Sequence, residues 1–179
     1  MTGDDVVTES QIMIVLRLIH IIGGVFWGGA VMSIAWFVFP AQRAIGQPGV
    51  LFMRELMMTR RFRSYVIGAA VLTILSGLTM YIRLSMLAHG EWARSRMGMV
   101  LGVGAVAAII AAGIGTGVTG SIGKKMMALG GQIQTSGGPP SDAQKAEMEA
   151  LQGRMQGAFR IVAVLLLIAI ATMASARYL

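Results

Sequence analysis

Four long apolar segments dominate the pattern of hydrophobic and polar positions along the chain. They run from about 11 to 39, 65 to 86, 97 to 119 and 159 to 176. Each is close to the roughly 20 residues that a helix needs to cross the hydrocarbon core of a bilayer. They are too long and too uniformly apolar for the strands of a membrane barrel, which alternate. The pattern therefore predicts an all-α, polytopic membrane protein with a four-transmembrane-helix bundle, built as a single domain over 1–179.

Local start and stop signals bound the first apolar segment. Thr8 and Gln11 have the spacing of a capping box, which predicts that the first helix starts there. Pro40 lacks the backbone amide that a continuing helix needs, so it predicts the end of this helix.

The connections between the spans carry helical patterns of their own. Residues 48–62 predict an amphipathic helix, with Pro48 near its start and arginines that suit a membrane surface. Ser141 and Gln144 form a second capping-box pattern. Residues 120–158 are therefore expected to form a helical hairpin that extends spans three and four. Its facing apolar residues would be Met126, Met127, Leu129 and Ile133 on one helix and Met148, Leu151, Met155 and Phe159 on the other.

Composition agrees with a lipid-embedded chain and excludes several classes of site. Of the 179 residues, 55% are hydrophobic and 13% are charged. In soluble domains, about a quarter of all residues are charged. The chain has no cysteine, which excludes disulfides, thiolate metal sites and thiol catalysis. All acidic residues lie outside the apolar segments, which argues against a proton-coupled transporter. No catalytic motif is present, so no catalytic residue is assigned.

The net charge of +7 reflects membrane topology rather than nucleic-acid binding. Arginines and lysines concentrate in the loops after spans one and three, five in each loop, against four on the other side. By the positive-inside rule, these two loops are cytoplasmic and both termini lie on the outer side.

Glycine pairs at four-residue spacing mark close helix packing. They are Gly24 with Gly28, Gly98 with Gly102, and Gly113 with Gly117. The pairs serve either packing inside one bundle or a homodimer through glycine-rich helix faces. The sequence leaves this choice open.

His20 is the one histidine inside an apolar segment. On a helix it shares a stripe with Gly24 and Gly28, with Arg17 and Trp27 close by. It lies about nine residues from the outer boundary, roughly 13 Å deep. Neutral imidazole is a ligand for haem iron, copper and zinc. The two glycines would leave a flat space where a porphyrin could lie against the backbone.

Packing is the alternative account of His20. Its ring would then donate a hydrogen bond to a carbonyl or hydroxyl of span two, at Thr73, Ser76 or Thr79. The glycines beside it would serve helix contact alone.

A haem at His20 has one candidate second ligand and two candidate propionate partners. Met80 lies roughly 9 Å deep, within reach of the same level, and His/Met ligation is a known haem arrangement. An open sixth position is equally compatible. His89 lies at the water boundary and is expected to be a solvated loop residue. Arg17 and Arg83 would bind the propionates, with snorkelling to lipid headgroups as the alternative.

The 15 methionines raise copper as a second metal. Met97 with Met99, and Met53 with Met57, have spacings that suit copper(I). Methionine is also ordinary core filler, and packing is the simpler interpretation of these residues.

The motif "LIHIIGGVFWGGAVM" around His20 resembles the first helix of the copper resistance protein D-like group of bacterial membrane proteins. The segments "SYVIGAAVLTILSGLTMYIR" and "ATMASARYL" also look like four-helix members of that group. The resemblance implies a bacterial inner-membrane protein in which His20 binds haem or another metal. Related families include membrane protoporphyrinogen oxidase and membrane-anchored urate oxidase. The chain lacks the asparagine-glutamate-x-proline pattern of the former and the further intramembrane histidines of a multi-haem cytochrome.

The sequence thus favours a small membrane protein that binds b-type haem for electron transfer or haem handling, with a redox partner. Copper transport or tolerance is one alternative. A cofactor-free accessory subunit of a larger membrane complex is the other.

Overall fold

The computed structural model describes the backbone of residues 3–178 and the side chains of 8–57 and 59–178. Within this range the chain is helical, without a strand. The first helix, α1, covers 3–45 as Gly3–Ser33, a π-helical turn Ile34–Val38 and Phe39–Ile45. The others are α2 (Gln47–Arg54 with the π-helical Glu55–Thr59), α3 (Phe62–Leu87), the short α4 (Glu91–Arg94), α5 (Arg96–Thr135, with a π-helical turn Ile114–Val118) and α6 (Asp142–Ser175, ending in a 3-10 turn Ala176–Tyr178).

Four helices are long and apolar enough to cross a membrane, which confirms the predicted helical architecture. They are Thr8–Ile45, Phe62–Leu87, Arg96–Thr135 and Asp142–Tyr178. Large apolar side chains cover the outside of the bundle, and Phe37 and Val25 are 71% and 69% exposed. An apolar surface of this extent is typical of a protein that lies in lipid.

Both predicted ends of the first helix are wrong. The helix begins at Gly3, so Thr8 lies inside it rather than at its N-cap. It also passes through Pro40 and ends at Ile45, before Gly46 with φ of 63°. The π-helical turn Ile34–Val38 comes directly before Pro40. A wider turn relieves the contact between a proline ring and the preceding turn, which explains why this proline does not stop the helix.

Four long helices form a ring in which each contacts two neighbours. The closest pairs are α1 with α3 and α5 with α6, and the ring is completed by contacts of α1 with α6 and of α3 with α5. The core between them consists mostly of alanine and other small side chains around Trp27: Val31, Ala35, Ala70, Ala107, Ala108, Ala111, Val162, Ala163, Leu166 and Ala169. Small residues let the helix backbones approach closely.

The residues predicted as a hairpin are helical on both sides of a turn, over Thr119–Thr135 and from Asp142 onward. Ile122, Leu129 and Leu151 are buried between the two helices, with Met126, Ile133, Met148 and Met155 packed against them. Met127 was expected in this interface but is 56% exposed, because it lies off the apolar stripe. Phe159 packs edge-on against Phe39 of α1 at 5.1 Å instead of joining the hairpin.

The amphipathic connection is a helix over 47–59, with Pro48 in its first turn as predicted. It ends earlier than 62 because the chain turns sharply at Arg61, which has a left-handed φ of 51°. The second capping box is confirmed: Gln144 N donates to Ser141 Oγ at 3.2 Å, and Ser141 N donates to Gln144 Oε1 at 2.9 Å.

Candidate site around His20

His20 faces α3 rather than lipid. Its ring Nδ1 lies 2.7 Å from the backbone carbonyl oxygen of Thr73, and the residue is half-buried. This bond matches the packing interpretation, in which His20 binds a carbonyl of span two. A carbonyl oxygen has no hydrogen, so Nδ1 must be the donor. In the neutral ring, Nε2 then carries the lone pair.

Gly77 on α3 makes room for the imidazole. A Cβ atom at this position would lie 2.6 Å from His20 Cε1 and 2.8 Å from Nδ1, closer than real side chains approach. Nε2 would be 3.6 Å from that Cβ, so it is the ring nitrogen directed farther from Gly77. The role of Gly77 was not predicted from the sequence. The available signal was a glycine one helical turn after Thr73 in "TILSG".

The polar side chains of α3 near His20 mostly bind their own helix. The hydroxyls of Thr73 and Ser76 donate to the carbonyls of Ala69 and Leu72 at 2.7 and 2.6 Å. Ser76 Oγ also lies 3.2 Å from the Thr73 carbonyl, which therefore meets two donors. Thr79, a third candidate partner, is exposed and donates to Leu75. Among the described residues, none donates a hydrogen bond to His20 Nε2, and this nitrogen is not fully buried.

The glycines beside His20 contact protein side chains. A Cβ on Gly24 would lie 3.5 Å from the Thr73 methyl group, and one on Gly28 would lie 3.3 Å from Ile170 Cδ1. The expected flat space for a porphyrin over these two glycines is therefore filled by neighbouring helices. Trp27 is buried at 4% exposure in the bundle core.

Met80 is half-buried and lies one turn beyond Gly77, on the face of α3 that carries Thr73 and Gly77. The structure thus places His20 and Met80 at neighbouring levels of the α1–α3 pair. His89 is an exposed loop residue as expected, with φ of 47°.

The two candidate propionate partners differ in their surroundings. Arg17 is exposed. Arg83 donates to Glu9 Oε1 at 3.1 Å, and the two side chains are 33% and 36% exposed. This ion pair joins the N-terminal part of α1 to the C-terminal part of α3. Arg83 lies about one helical turn after Met80. A propionate at Arg83 would have to compete with the Glu9 carboxylate.

The structure gives less support to the other candidate metal sites. No group of three or more histidine or carboxylate side chains suited to a metal ion occurs within the described residues. Met97 and Met99 are exposed at 38% and 55%. Met126, Met148 and Met155 of the hairpin pack against an apolar core, and Met53 and Met57 are half-buried on α2.

The glycine pairs divide between inward and outward positions. Gly102 faces the Tyr81 hydroxyl, which itself donates to the Gly98 carbonyl at 3.2 Å. Gly113 and Gly117 have no atom within 4 Å of a built Cβ. The first two pairs therefore serve packing inside one chain, while the third lies on the surface.

Comparison with protein-family models, with curated proteins and with solved structures finds no match to this chain. The likeness to the copper resistance protein D-like group therefore rests on its short motifs alone.

Proposed function

We propose that this protein is a bacterial inner-membrane protein that binds b-type haem through Nε2 of His20, for electron transfer or haem handling. One observation carries the proposal. The 2.7 Å bond from Nδ1 to the Thr73 carbonyl commits Nδ1 as a donor and leaves Nε2 without a protein partner among the described residues.

This hydrogen bond has the form found behind metal-binding histidines. Such histidines donate their second ring N–H to a carbonyl or carboxylate, which sets the tautomer, orients the ring and raises the basicity of the ligating nitrogen. The rigid contact with Gly77 adds a further restraint on ring rotation. The donor chemistry therefore fits an imidazole ligand of haem iron, although Gly24 and Gly28 do not supply the space for the porphyrin ring.

The remaining residues would complete the site as follows. Met80, on the same face of α3 as Gly77, would offer its thioether as a second ligand; alternatively, His20 would be the one protein ligand. Arg17 and Arg83 supply guanidinium groups for the propionates. Bound haem supplies one-electron chemistry at its iron, and the chain itself contributes ligand orientation and an apolar surrounding. An electron-transfer role requires a redox partner.

A cofactor-free accessory subunit of a larger membrane complex is the second candidate. The hydrogen bond to Thr73 and the contact with Gly77 account for His20 without any ligand. Copper transport has weaker support, since Met97 and Met99 are exposed and Met53 and Met57 are half-buried on the amphipathic α2.

The bilayer position of the chain follows from the charge distribution. The basic loops would lie in the cytoplasm, with the hairpin and α2, and both termini would lie on the periplasmic side. The His20–Thr73 pair then belongs to the outer half of the bundle.

An absorption spectrum of the detergent-purified protein tests the haem proposal. The protein is expressed with ample haem supply and measured oxidised and dithionite-reduced. We expect a Soret band that sharpens on reduction, is lost in His20→Ala and is unchanged in the control His89→Ala. A colourless wild type would overturn the proposal and favour the accessory role.

A further inference from the structure

We infer that the surface groove between α1 and α3 binds one acyl chain of an anionic phospholipid, whose headgroup lies at Arg61. This inference does not depend on haem binding. It rests on the shape of the groove, on the arginines at one end of it, and on the conformation of Arg61.

The groove is an open apolar depression of about 620 Å³ on the outside of the helix pair. Its walls include Val15, Ile19, Ile22 and Phe26 of α1 and Gly68 and Leu72 of α3. Residues 15–26 of α1 span roughly 17 Å along the helix axis, which makes the groove elongated. Such a shape suits a hydrocarbon chain.

Gly68 forms the floor of this groove. No atom lies within 4 Å of the position that its Cβ would occupy. On the same helix pair, Gly23 brings the backbones so close that its Cβ would lie 2.6 Å from Thr73 Oγ1. The helices therefore touch on one side of the groove and leave space on the other.

The groove ends at Ser64 and Tyr65. Tyr65 is 66% exposed, as is usual for an aromatic ring at the headgroup level of a bilayer. The amides of Ser64 and Tyr65 donate to the Arg61 carbonyl at 2.8 and 3.3 Å. Arg61 therefore lies one helical turn from the end of the groove.

Positive charge dominates this end. Arg60 pairs with Glu55 at 3.2 Å. Arg63 extends along α5, where its Nη2 lies 3.0 Å from the position of a Cβ on Gly120. Arg61 is exposed and has no ion pair within the described part of the chain. Its free guanidinium is complementary to a phosphodiester.

The backbone of Arg61 has φ of 51° and ψ of 26°. This left-handed conformation disfavours side chains and is usually met by glycine. The left-handed turn places Arg61 directly before the first turn of α3, next to the end of the groove.

Native mass spectrometry of the full chain in detergent tests the inference. The protein is mixed with equimolar phosphatidylglycerol and phosphatidylcholine that have the same acyl chains. We expect one retained phosphatidylglycerol, favoured roughly five-fold over phosphatidylcholine, which corresponds to about 1 kcal/mol for one arginine near the surface.

Two variants separate the apolar and the charged contributions. Gly68→Leu fills the groove and should lose retention of both lipids, whereas Gly29→Leu adds the same side chain at another open position and should behave as wild type. Arg61→Gln should retain lipid but lose the five-fold preference, whereas Arg94→Gln should keep it. Equal retention of both lipids by the wild type would overturn the inference. Wild-type retention by Gly68→Leu would overturn it as well.

Discussion

The imidazole of His20 lies directly against the backbone of Gly77, with Nδ1 bonded to the Thr73 carbonyl one turn away on the same helix. This contact links α1 to α3 at His20, the one histidine that lies inside an apolar segment of the sequence. The His20 ring can take this orientation only because α1 and α3 approach each other closely. Haem binding and helix packing, the two candidate roles of His20, both depend on this close approach.

Gly77→Ala tests this contact. The added methyl group would lie 2.6 Å from His20 Cε1, so the ring or the helix must shift. Overpacking of this kind typically costs about 1–3 kcal/mol. We expect a lower unfolding temperature in detergent and, if haem is bound, a broadened or shifted Soret band.

Gly68→Ala is the matched control, because its Cβ enters open space on the same helix. It should leave the unfolding temperature unchanged or raise it slightly, since alanine favours the helix over glycine by roughly 0.5–1 kcal/mol. Equal destabilisation by both alanines would mean that the His20–Gly77 contact does not limit the fit of the two helices.

The pair of Glu9 and Arg83 should contribute only modestly to stability. Both side chains are about one-third exposed at a separation of 3.1 Å, and exposed pairs typically give about 0.2–1 kcal/mol. A double-mutant cycle with Glu9→Gln and Arg83→Gln in detergent should measure a coupling in this range that falls at high salt. A larger, salt-independent coupling would indicate that the pair is shielded from water.

Ser141→Ala should loosen the start of α6 without unfolding the bundle. It removes the oxygen that accepts from Gln144 N at 3.2 Å, and loss of such an N-cap typically costs about 1 kcal/mol. Hydrogen exchange should become roughly five-fold faster in the first turn of α6 only. Ser121→Ala, at an exposed helical site, serves as the control and should leave that turn unchanged.

Single cysteines test the proposed orientation, because the chain has none of its own. His89→Cys lies in the loop between α3 and α4, and Ser136→Cys lies at the tip of the hairpin. A membrane-impermeant maleimide should label position 89 in intact spheroplasts and position 136 only after permeabilisation. The reverse labelling pattern would place both termini in the cytoplasm.

Local signals in the sequence were sufficient for some elements and misleading for others. The capping box at Ser141 formed because both of its hydrogen bonds lie within four consecutive residues. The similar signal at Thr8 did not start a helix, and Pro40 did not end one. A π-helical turn accommodates the proline within the helix. No pattern of residue types in the sequence predicted this turn.

By itself, the sequence determined four long apolar helices and the hairpin that extends two of them. Unbroken apolar runs and a spacing of three to four residues are properties of each segment alone. Only the tertiary structure selected Thr73 from three candidate partners of His20, and only it revealed Gly77. These choices depend on the relative register and separation of α1 and α3, and register arises from the packing of whole helix faces. For the same reason, the structure decided which glycines lie inside the bundle and which line the groove at its surface.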